Sequence, residues 1–241
     1  MTYWAILSGI EGNLEAYEVV LADLKRQRVS VEALYILGDI VAANPESEKV
    51  IRRIRNPRLG EPIPQVCIGW WEEQCFDLHD LGSSIEPTEL IDRYGKDTAK
   101  LLWESVSRET VQWLRGLDFG FFELDCLLIH GSTIGVSDEL TPLTPPWQML
   151  DRLQRMEANN LFCGRSGQIF EYQLQGGSVT TSVTTLDKKR STQTLTAPQR
   201  RIIGVGNVGR EAGKATYTLY NPKRDLVEFK TVCYGKKKGF G

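Results

Sequence analysis

The chain has 241 residues, and its 29 basic and 31 acidic side chains leave a formal net charge of −2. This near-neutral balance excludes the basic bias of a nucleic-acid-binding protein, and 41% hydrophobic with 25% charged residues indicates a globular chain. No uncharged apolar run is long enough for a membrane helix, and the first residues lack the pattern of a signal peptide. These features predict a single domain over residues 1–241, located in the cytoplasm, with no nucleic-acid or membrane partner.

The cysteines indicate neither disulfides nor a zinc site. They are five in number, widely spaced, and form no Cys-x-x-Cys pair. Cys67, Cys126 and Cys163 lie in short apolar runs typical of buried strands. We expect the thiols to act as small buried hydrophobic groups.

The first third of the chain alternates short apolar runs with helical patterns, which is typical of parallel strands covered by helices. We predict strands at residues 4–7, 33–37 and 65–68. Asn13 is a favourable N-cap, so we predict one helix from there to about Arg28 and a second helix after Pro45.

Helical spacing dominates residues 72–117, which we predict to be a helical insertion between strands. A hairpin at residues 121–124 and 126–130, a helix at 147–156 and a strand at 161–163 are predicted next. From Ile169 onward, apolar and polar residues alternate. We therefore expect the second half of the chain to form an antiparallel sheet.

One glycine-rich segment, residues 204–209, matches the Gly-x-Gly-x-x-Gly pattern of dinucleotide-binding loops. That pattern binds a pyrophosphate only where the loop opens a helix, because the helix N-terminus supplies the amide donors. Here Gly213 and strand-like alternation follow instead. A nucleotide site of this type is therefore not expected.

Residues suited to chemistry lie in five loops that directly follow apolar strands. Because functional groups of open α/β sheets collect at the carboxyl ends of strands, we expect these loops to form one site. The loops read Ser8-Gly-Ile-Glu-Gly-Asn13, Leu37-Gly-Asp-Ile-Val41, Ile68-Gly-Trp-Trp-Glu72, Ile129-His-Gly-Ser132 and Cys163-Gly-Arg-Ser-Gly167.

This ordered series resembles the strand ends of the calcineurin-like metallophosphoesterases, specifically their small bacterial phosphodiesterase branch. The loops of that family read Asp-x-His-Gly-Asn, Gly-Asp, Gly-Asn-His-Asp, His-Gly and Gly-His-x-His in the same order. The resemblance extends to residues 206–209, which precede the strand around Tyr217, and covers nearly the whole chain. It implies an α/β fold built as a four-layer α/β/β/α sandwich with two facing sheets.

Most of the metal ligands that the resemblance implies are replaced in this chain. Of about eight ligands for two metal ions, only Asp39, at the bridging carboxylate position, and His130, at an imidazole position, remain. The degenerate site comprises Gly9, Glu11, Asn13, Asp39, Trp70, Trp71, Glu72, His130, Arg165 and Gly167. The usual binuclear metal site is therefore not expected to form.

We expect Arg165 to replace the charge of the missing metals. A carboxylate without its metal ions needs another cation if it is shielded from water. The prediction is an ion pair of Arg165 with Asp39, or with Glu11, and Trp70 or Trp71 filling the vacated pocket.

Three functions remain open. The leading interpretation is a metallophosphoesterase-fold protein that has lost binuclear-metal hydrolysis, needs no cofactor and acts as a binding or regulatory pseudo-phosphatase. The second is a metal-dependent phosphodiesterase or phosphatase whose rebuilt site of Glu11, Asp39, Glu72 and His130 holds one Mn²⁺ or Mg²⁺. In the third, Arg165 binds a phosphate-bearing small molecule without cleaving it. The partner is accordingly such a ligand or another protein.

Overall fold

The computed structural model describes residues 2–27, 29–79, 88–174, 177–184, 190–197 and 199–235. The strands are β1 (Thr2–Leu7), β2 (Ser30–Leu37), β3 (Pro64–Cys67), β4 (Gly120–Glu123), β5 (Cys126–Ile129), β6 (Asn160–Cys163), β7 (Ile169–Leu174), β8 (Gly177–Thr184), β9 (Arg190–Ala197), β10 (Arg200–Val205), β11 (Lys214–Asn221) and β12 (Leu226–Cys233). The helices are α1 (Leu14–Arg26), α2 (Ser47–Arg55), α3 (Trp70–Leu78), α4 (Thr88–Tyr94), α5 (Lys96–Ser105), α6 (Arg108–Leu114) and α7 (Pro146–Gln154).

The first sheet has the strand order β12-β11-β1-β2-β3. Strands β1, β2 and β3 are parallel, as the alternation of strands and helices predicts, and α1 and α2 make the two crossovers. Strand β11 pairs antiparallel with β1, and β12 pairs antiparallel with β11.

The second sheet has the strand order β4-β5-β6-β10-β7, and β8 and β9 pair with each other. Its central strands β5, β6 and β10 are parallel, whereas β4 and β7 are antiparallel to their neighbours. The predicted antiparallel pairing from Ile169 onward holds within the pairs β7–β10, β8–β9 and β11–β12. The prediction of one antiparallel sheet is wrong, because β10 also pairs parallel with β6 and β11 joins the first sheet. Alternation identifies a strand but does not specify its partner.

The helices and sheets form four layers, with an apolar core between each pair of adjacent layers. The first lies between α1, α2 and the first sheet, and includes Tyr17 and Ile51. The second lies between the sheets, where Trp4 and Phe162 both pack against Tyr220. The third places Met149 of α7 against the outer face of the second sheet. The predicted four-layer α/β/β/α sandwich is confirmed.

The loops after the strands differ from the sequence predictions in one respect that matters for the site. Trp70 and Trp71, predicted to lie in the loop before the helical insertion, form the first turn of α3, and both are buried. In the described part of residues 72–117 the chain is helical from α3 to α6. No helix within the described ranges is long and apolar enough to cross a bilayer.

Candidate functional site

The loops at the carboxyl ends of β1 and β2 run side by side through backbone hydrogen bonds. The amide of Glu11 donates to the carbonyl of Asp39 over 2.9 Å, and the amide of Gly12 donates to Ile40 over 2.9 Å. His130, after β5, joins this edge by donating from Nδ1 to the Leu37 carbonyl over 2.8 Å. The ends of strands from both sheets thus meet at one place.

Asp39 is the centre of the site, and its side chain is fully buried. Its Oδ2 accepts a hydrogen bond from Nη2 of Arg210 over 2.8 Å, and its Oδ1 accepts from the Trp71 amide over 2.9 Å. Nε2 of His130 lies 3.3 Å from Oδ2. Burial alone would raise the pKa of Asp39, but His130, Arg210 and the Trp71 amide hold it well below its usual value.

Arg210 binds both carboxylates of the site. Its Nε donates to Oε1 of Glu11 over 2.5 Å while its Nη2 donates to Asp39, and its Nη1 donates to the Arg165 carbonyl over 2.9 Å. Although burial disfavours the charge, the two carboxylates raise the pKa of Arg210. Burial raises the pKa of Glu11, and Arg210 opposes that rise. This guanidinium is therefore the cation that balances the site.

Two glycines leave the space that the Arg210 side chain occupies. A Cβ atom on Gly167 would lie 2.7 Å from Nη1 of Arg210, and one on Gly9 would lie 3.2 Å from its Nε. Both glycines have positive φ angles, of +67° and +61°. These are two positions at which the resemblance implies metal ligands, so the guanidinium lies where ligand side chains would project.

Glu72 serves the backbone rather than the open face of the site. Its two carboxylate oxygens accept hydrogen bonds from the amides of Asp39, Ile40, Val41 and Gly69 at 2.7–3.1 Å. Burial and the Asp39 charge raise the pKa of Glu72 to about 7, and the amide hydrogen bonds oppose that rise. With both oxygens occupied, Glu72 holds the loop after β2 in place.

Asn13 is also structural. Its side-chain oxygen accepts from the Ala16 amide over 3.0 Å and caps α1, as the sequence predicts. Its amide nitrogen donates to the Tyr234 hydroxyl over 2.9 Å and to the Gly209 carbonyl over 3.3 Å. Asn13 thereby ties the start of α1 to the loop that carries Arg210.

Arg165 stacks on an aromatic cluster and not on a carboxylate. Its guanidinium carbon lies 4.6 Å from the centre of the Trp70 ring. Trp70 in turn packs against Trp71 and Tyr94 at centroid distances of 4.9 and 5.6 Å. The Arg165 residue is 4% exposed, and its Nε and Nη2 have no hydrogen-bond partner in the described part of the chain.

The predicted ion pair of Arg165 with Asp39 or Glu11 is therefore wrong. Arg210 makes both contacts instead. The predicted role for the tryptophans is met in part, because both are buried, Trp70 against the Arg165 guanidinium and Trp71 with its amide on Asp39. The strand-end motifs do not identify Arg210, which follows the glycine-rich loop after β10. That loop contains no carboxylate or imidazole that could be matched to a metal ligand of the family. The signal that could have found Arg210 is the pair of glycines at positions 9 and 167.

The residues present do not fit the two metal ions that the resemblance implies. One carboxylate oxygen of Asp39 accepts a hydrogen bond from Arg210 and the other accepts one from the Trp71 amide, and Glu11 is bound to the same guanidinium. Glu72 has no oxygen free for a metal ion. Among the residues that the structure describes, no group of three His, Cys, Asp or Glu side chains is arranged to hold a metal.

The four-layer architecture, with its site at the carboxyl ends of the strands, is the fold of the metallophosphoesterases. A metallophosphoesterase from Sphaerobacter thermophilus has a crystal structure similar to this chain, with a TM-score of 0.67, 20% identity, and coverage of 97% of this chain and 89% of that one. A cold-active protein-tyrosine phosphatase of a psychrophilic Shewanella species aligns with a TM-score of 0.43 and 15% identity over 68% of this chain and 65% of that one.

No protein-family model and no curated protein matches the chain. The likeness to the Sphaerobacter structure shows the fold, which the strand-end motifs predicted. What the chain does has to be argued from its own site residues.

Proposed function

We propose that this protein has a metallophosphoesterase fold that has lost binuclear-metal hydrolysis, and that it acts as a binding or regulatory protein. The observation that carries the proposal is the Arg210 guanidinium, which binds Glu11 and Asp39 at 2.5 and 2.8 Å. Phosphoester hydrolysis of this class needs two divalent cations that activate water and stabilise the leaving oxygen. In this chain a permanent cation is bound to both carboxylates, so these carboxylates are not available to bind metal ions.

The geometry does not favour the alternative of a rebuilt one-metal site. Such a site requires Glu11, Asp39, Glu72 and His130 to point oxygen or nitrogen ligands at one ion. Instead, Glu72 accepts four backbone hydrogen bonds, and Nδ1 of His130 donates to a carbonyl. A divalent cation next to Asp39 would also meet the positive charge of Arg210 at close range.

The proposal is tested by metal analysis and hydrolysis assays on protein purified without chelators. Bis(p-nitrophenyl) phosphate and p-nitrophenyl phosphate serve as diester and monoester substrates, each with Mn²⁺, Mg²⁺ or Zn²⁺. We expect no stoichiometric metal and no turnover above the rate with buffer alone. Calorimetric titration with Mn²⁺ should likewise show no tight site.

The variant Arg210→Gln provides a matched comparison, because it removes the cation while keeping a hydrogen-bonding side chain of moderate size. If Arg210 excludes metal ions, this variant should bind Mn²⁺ more tightly than the wild-type protein. Wild-type protein with bound metal and turnover on the order of one per second or more would contradict the proposal.

A further inference from the structure

We propose that Arg165 and Arg93, arranged around the ring of Trp70, form a binding site for the phosphate group of a small molecule. This inference rests on the proposed function, because it names the ligand chemistry of a site that binds without hydrolysis. It is carried by a buried cation that the protein leaves without a partner.

Arg165 has the features of a group held ready for an anion. The residue is 4% exposed, yet Nε and Nη2 make no hydrogen bond, and no salt bridge to it occurs among the described residues. A buried charge without a partner is costly, and proteins normally pair such groups. The contact with Trp70 offsets part of this cost but provides no acceptor for the N–H groups.

The nearby carboxylates do not need Arg165. Asp39 has Arg210, His130 and the Trp71 amide around it, and Glu11 is bound to Arg210. Arg165 is therefore a surplus cation in the site, with donors that only an added acceptor would satisfy.

A second guanidinium lies close to the same ring. The guanidinium carbon of Arg93 lies 5.9 Å from the centre of the Trp70 ring and 5.6 Å from that of Tyr94. Its side chain is 46% exposed, and its described acidic contact is Glu139 at 3.9 Å. Burial lowers the pKa of Arg165, the charge of Asp39 opposes that fall, and the charges of Arg93 and Arg210 add to it. An anion between Arg93 and Arg165 would relieve the repulsion between these two charges.

A phosphate group suits a pair of guanidinium groups because it carries three strong acceptor oxygens, whereas a carboxylate carries two. Planar guanidinium groups bind phosphate oxygens through paired, charge-assisted hydrogen bonds. The Trp70 ring is held in place because its Nε1 donates to Oε1 of Glu89 over 2.9 Å. A fixed apolar floor orients the Arg165 donors and excludes water from one side, which strengthens their interaction with an anion.

The test is calorimetric titration of the full chain with inorganic phosphate and phenyl phosphate, with sulfate and acetate as comparison anions. The variant Arg165→Met keeps an unbranched side chain on Trp70 but removes the donors. We expect Arg165→Met to bind phosphate about tenfold or more weakly than the wild type. We expect Arg93→Met to bind phosphate severalfold more weakly. Arg224→Met, in an exposed turn beside the start of β1, at the end of the first sheet opposite the site, should bind as the wild type does.

Thermal unfolding separates binding from a structural role. Because Arg165 is unpaired, Arg165→Met should melt at the wild-type temperature or above it. Phosphate should raise the melting temperature of the wild type and not that of this variant. A lower melting temperature for Arg165→Met combined with unchanged phosphate affinity would overturn the inference, and so would a wild-type protein that binds no phosphate.

The two proposals fail in distinguishable ways. Metal-dependent hydrolysis by the wild type would overturn the proposal that hydrolysis has been lost. The phosphate site would then still stand or fall on whether Arg165→Met lowers phosphate affinity in the titration. Absence of phosphate binding, with hydrolysis also absent, would remove only the phosphate site. Binding of acetate as tight as that of phosphate would show that the site takes carboxylates and would overturn the phosphate assignment.

Discussion

Removing the Arg210 guanidinium is the most direct perturbation of this site. In Arg210→Ala, Asp39 would keep the Trp71 amide and His130 but lose the Arg210 cation, and Glu11 would lose its hydrogen bond from Arg210. The Asp39 side chain is fully buried, so water does not replace the lost contact. The expected result is a marked loss of stability without a change of fold.

The size of the loss follows from burial of the pair. Removing one partner of a buried ion pair costs about 3 to 5 kcal/mol. The Arg210 side chain is 24% exposed and that of Glu11 20% exposed, which places the expected loss near the lower end, at about 3 kcal/mol. For a chain of this length, that corresponds to a fall in melting temperature of about 6 to 12 °C.

Urea unfolding followed by tryptophan fluorescence, together with calorimetry, would measure this loss. Arg224→Ala is the control, since it removes an exposed arginine far from the site. In a double-mutant cycle, Glu11→Gln combined with Arg210→Ala should cost less than the sum of the single changes, because the two residues share one contact. A loss no larger than that of Arg224→Ala would refute the assignment of Arg210 as the balancing cation.

Three further predictions concern single residues, of which Asn13 and Gly69 support the site and Glu61 lies between α2 and β3. Asn13→Ala should lower the unfolding free energy by about 1 to 2 kcal/mol through loss of the α1 cap, and Asn13→Ser should recover most of it in urea titrations. Gly69→Ala should destabilise by about 3 kcal/mol or more, because its Cβ would lie 2.2 Å from the Asp39 amide nitrogen, whereas Gly135→Ala, with open space around it, should melt as the wild type does. Burial alone would raise the pKa of Glu61, but its lysine and arginine partners lower this pKa to about 2. The ionised Glu61 side chain therefore stabilises the folded protein by about 1 to 2 kcal/mol after screening. This contribution is present above about pH 4.5 and is lost as the pH falls toward 2. The difference in unfolding free energy between wild type and Glu61→Gln should therefore shrink as the pH is lowered from 6 to 3, and a constant difference would contradict this.

Much of the fold follows from local sequence pattern. The predicted strands at residues 33–37 and 65–68 lie within one residue of β2 and β3 at their ends near the site. Asn13 caps α1 as predicted, because an N-cap depends on a few neighbouring residues. The pairing of β11 with β1 could not be read in this way, since its residues lie more than 200 positions apart and both faces of β11 are buried.

In the site, too, the sequence predicts which loops meet but not which side chains contact one another. The strand-end loops identified Glu11, Asp39, His130 and Arg165 as neighbours, because parallel strands of a known topology end together. The sequence did not identify which arginine contacts which carboxylate, since that depends on side-chain space. Gly9 and Gly167 provide that space for Arg210, and a Cβ at either position would crowd its guanidinium.

The two arginines of the site solve different electrostatic problems. A pair of carboxylates at the meeting point of two sheets is stable only with a cation, and Arg210 meets that need through contacts of 2.5 and 2.8 Å. Once Arg210 has done so, Arg165 contributes a second positive charge that folding does not require and that burial makes costly. The contact with Trp70 offsets part of that cost, and we propose that a phosphate-bearing ligand offsets more of it. Arg210 thus balances the two carboxylates, whereas Arg165 is the residue that we propose binds the ligand.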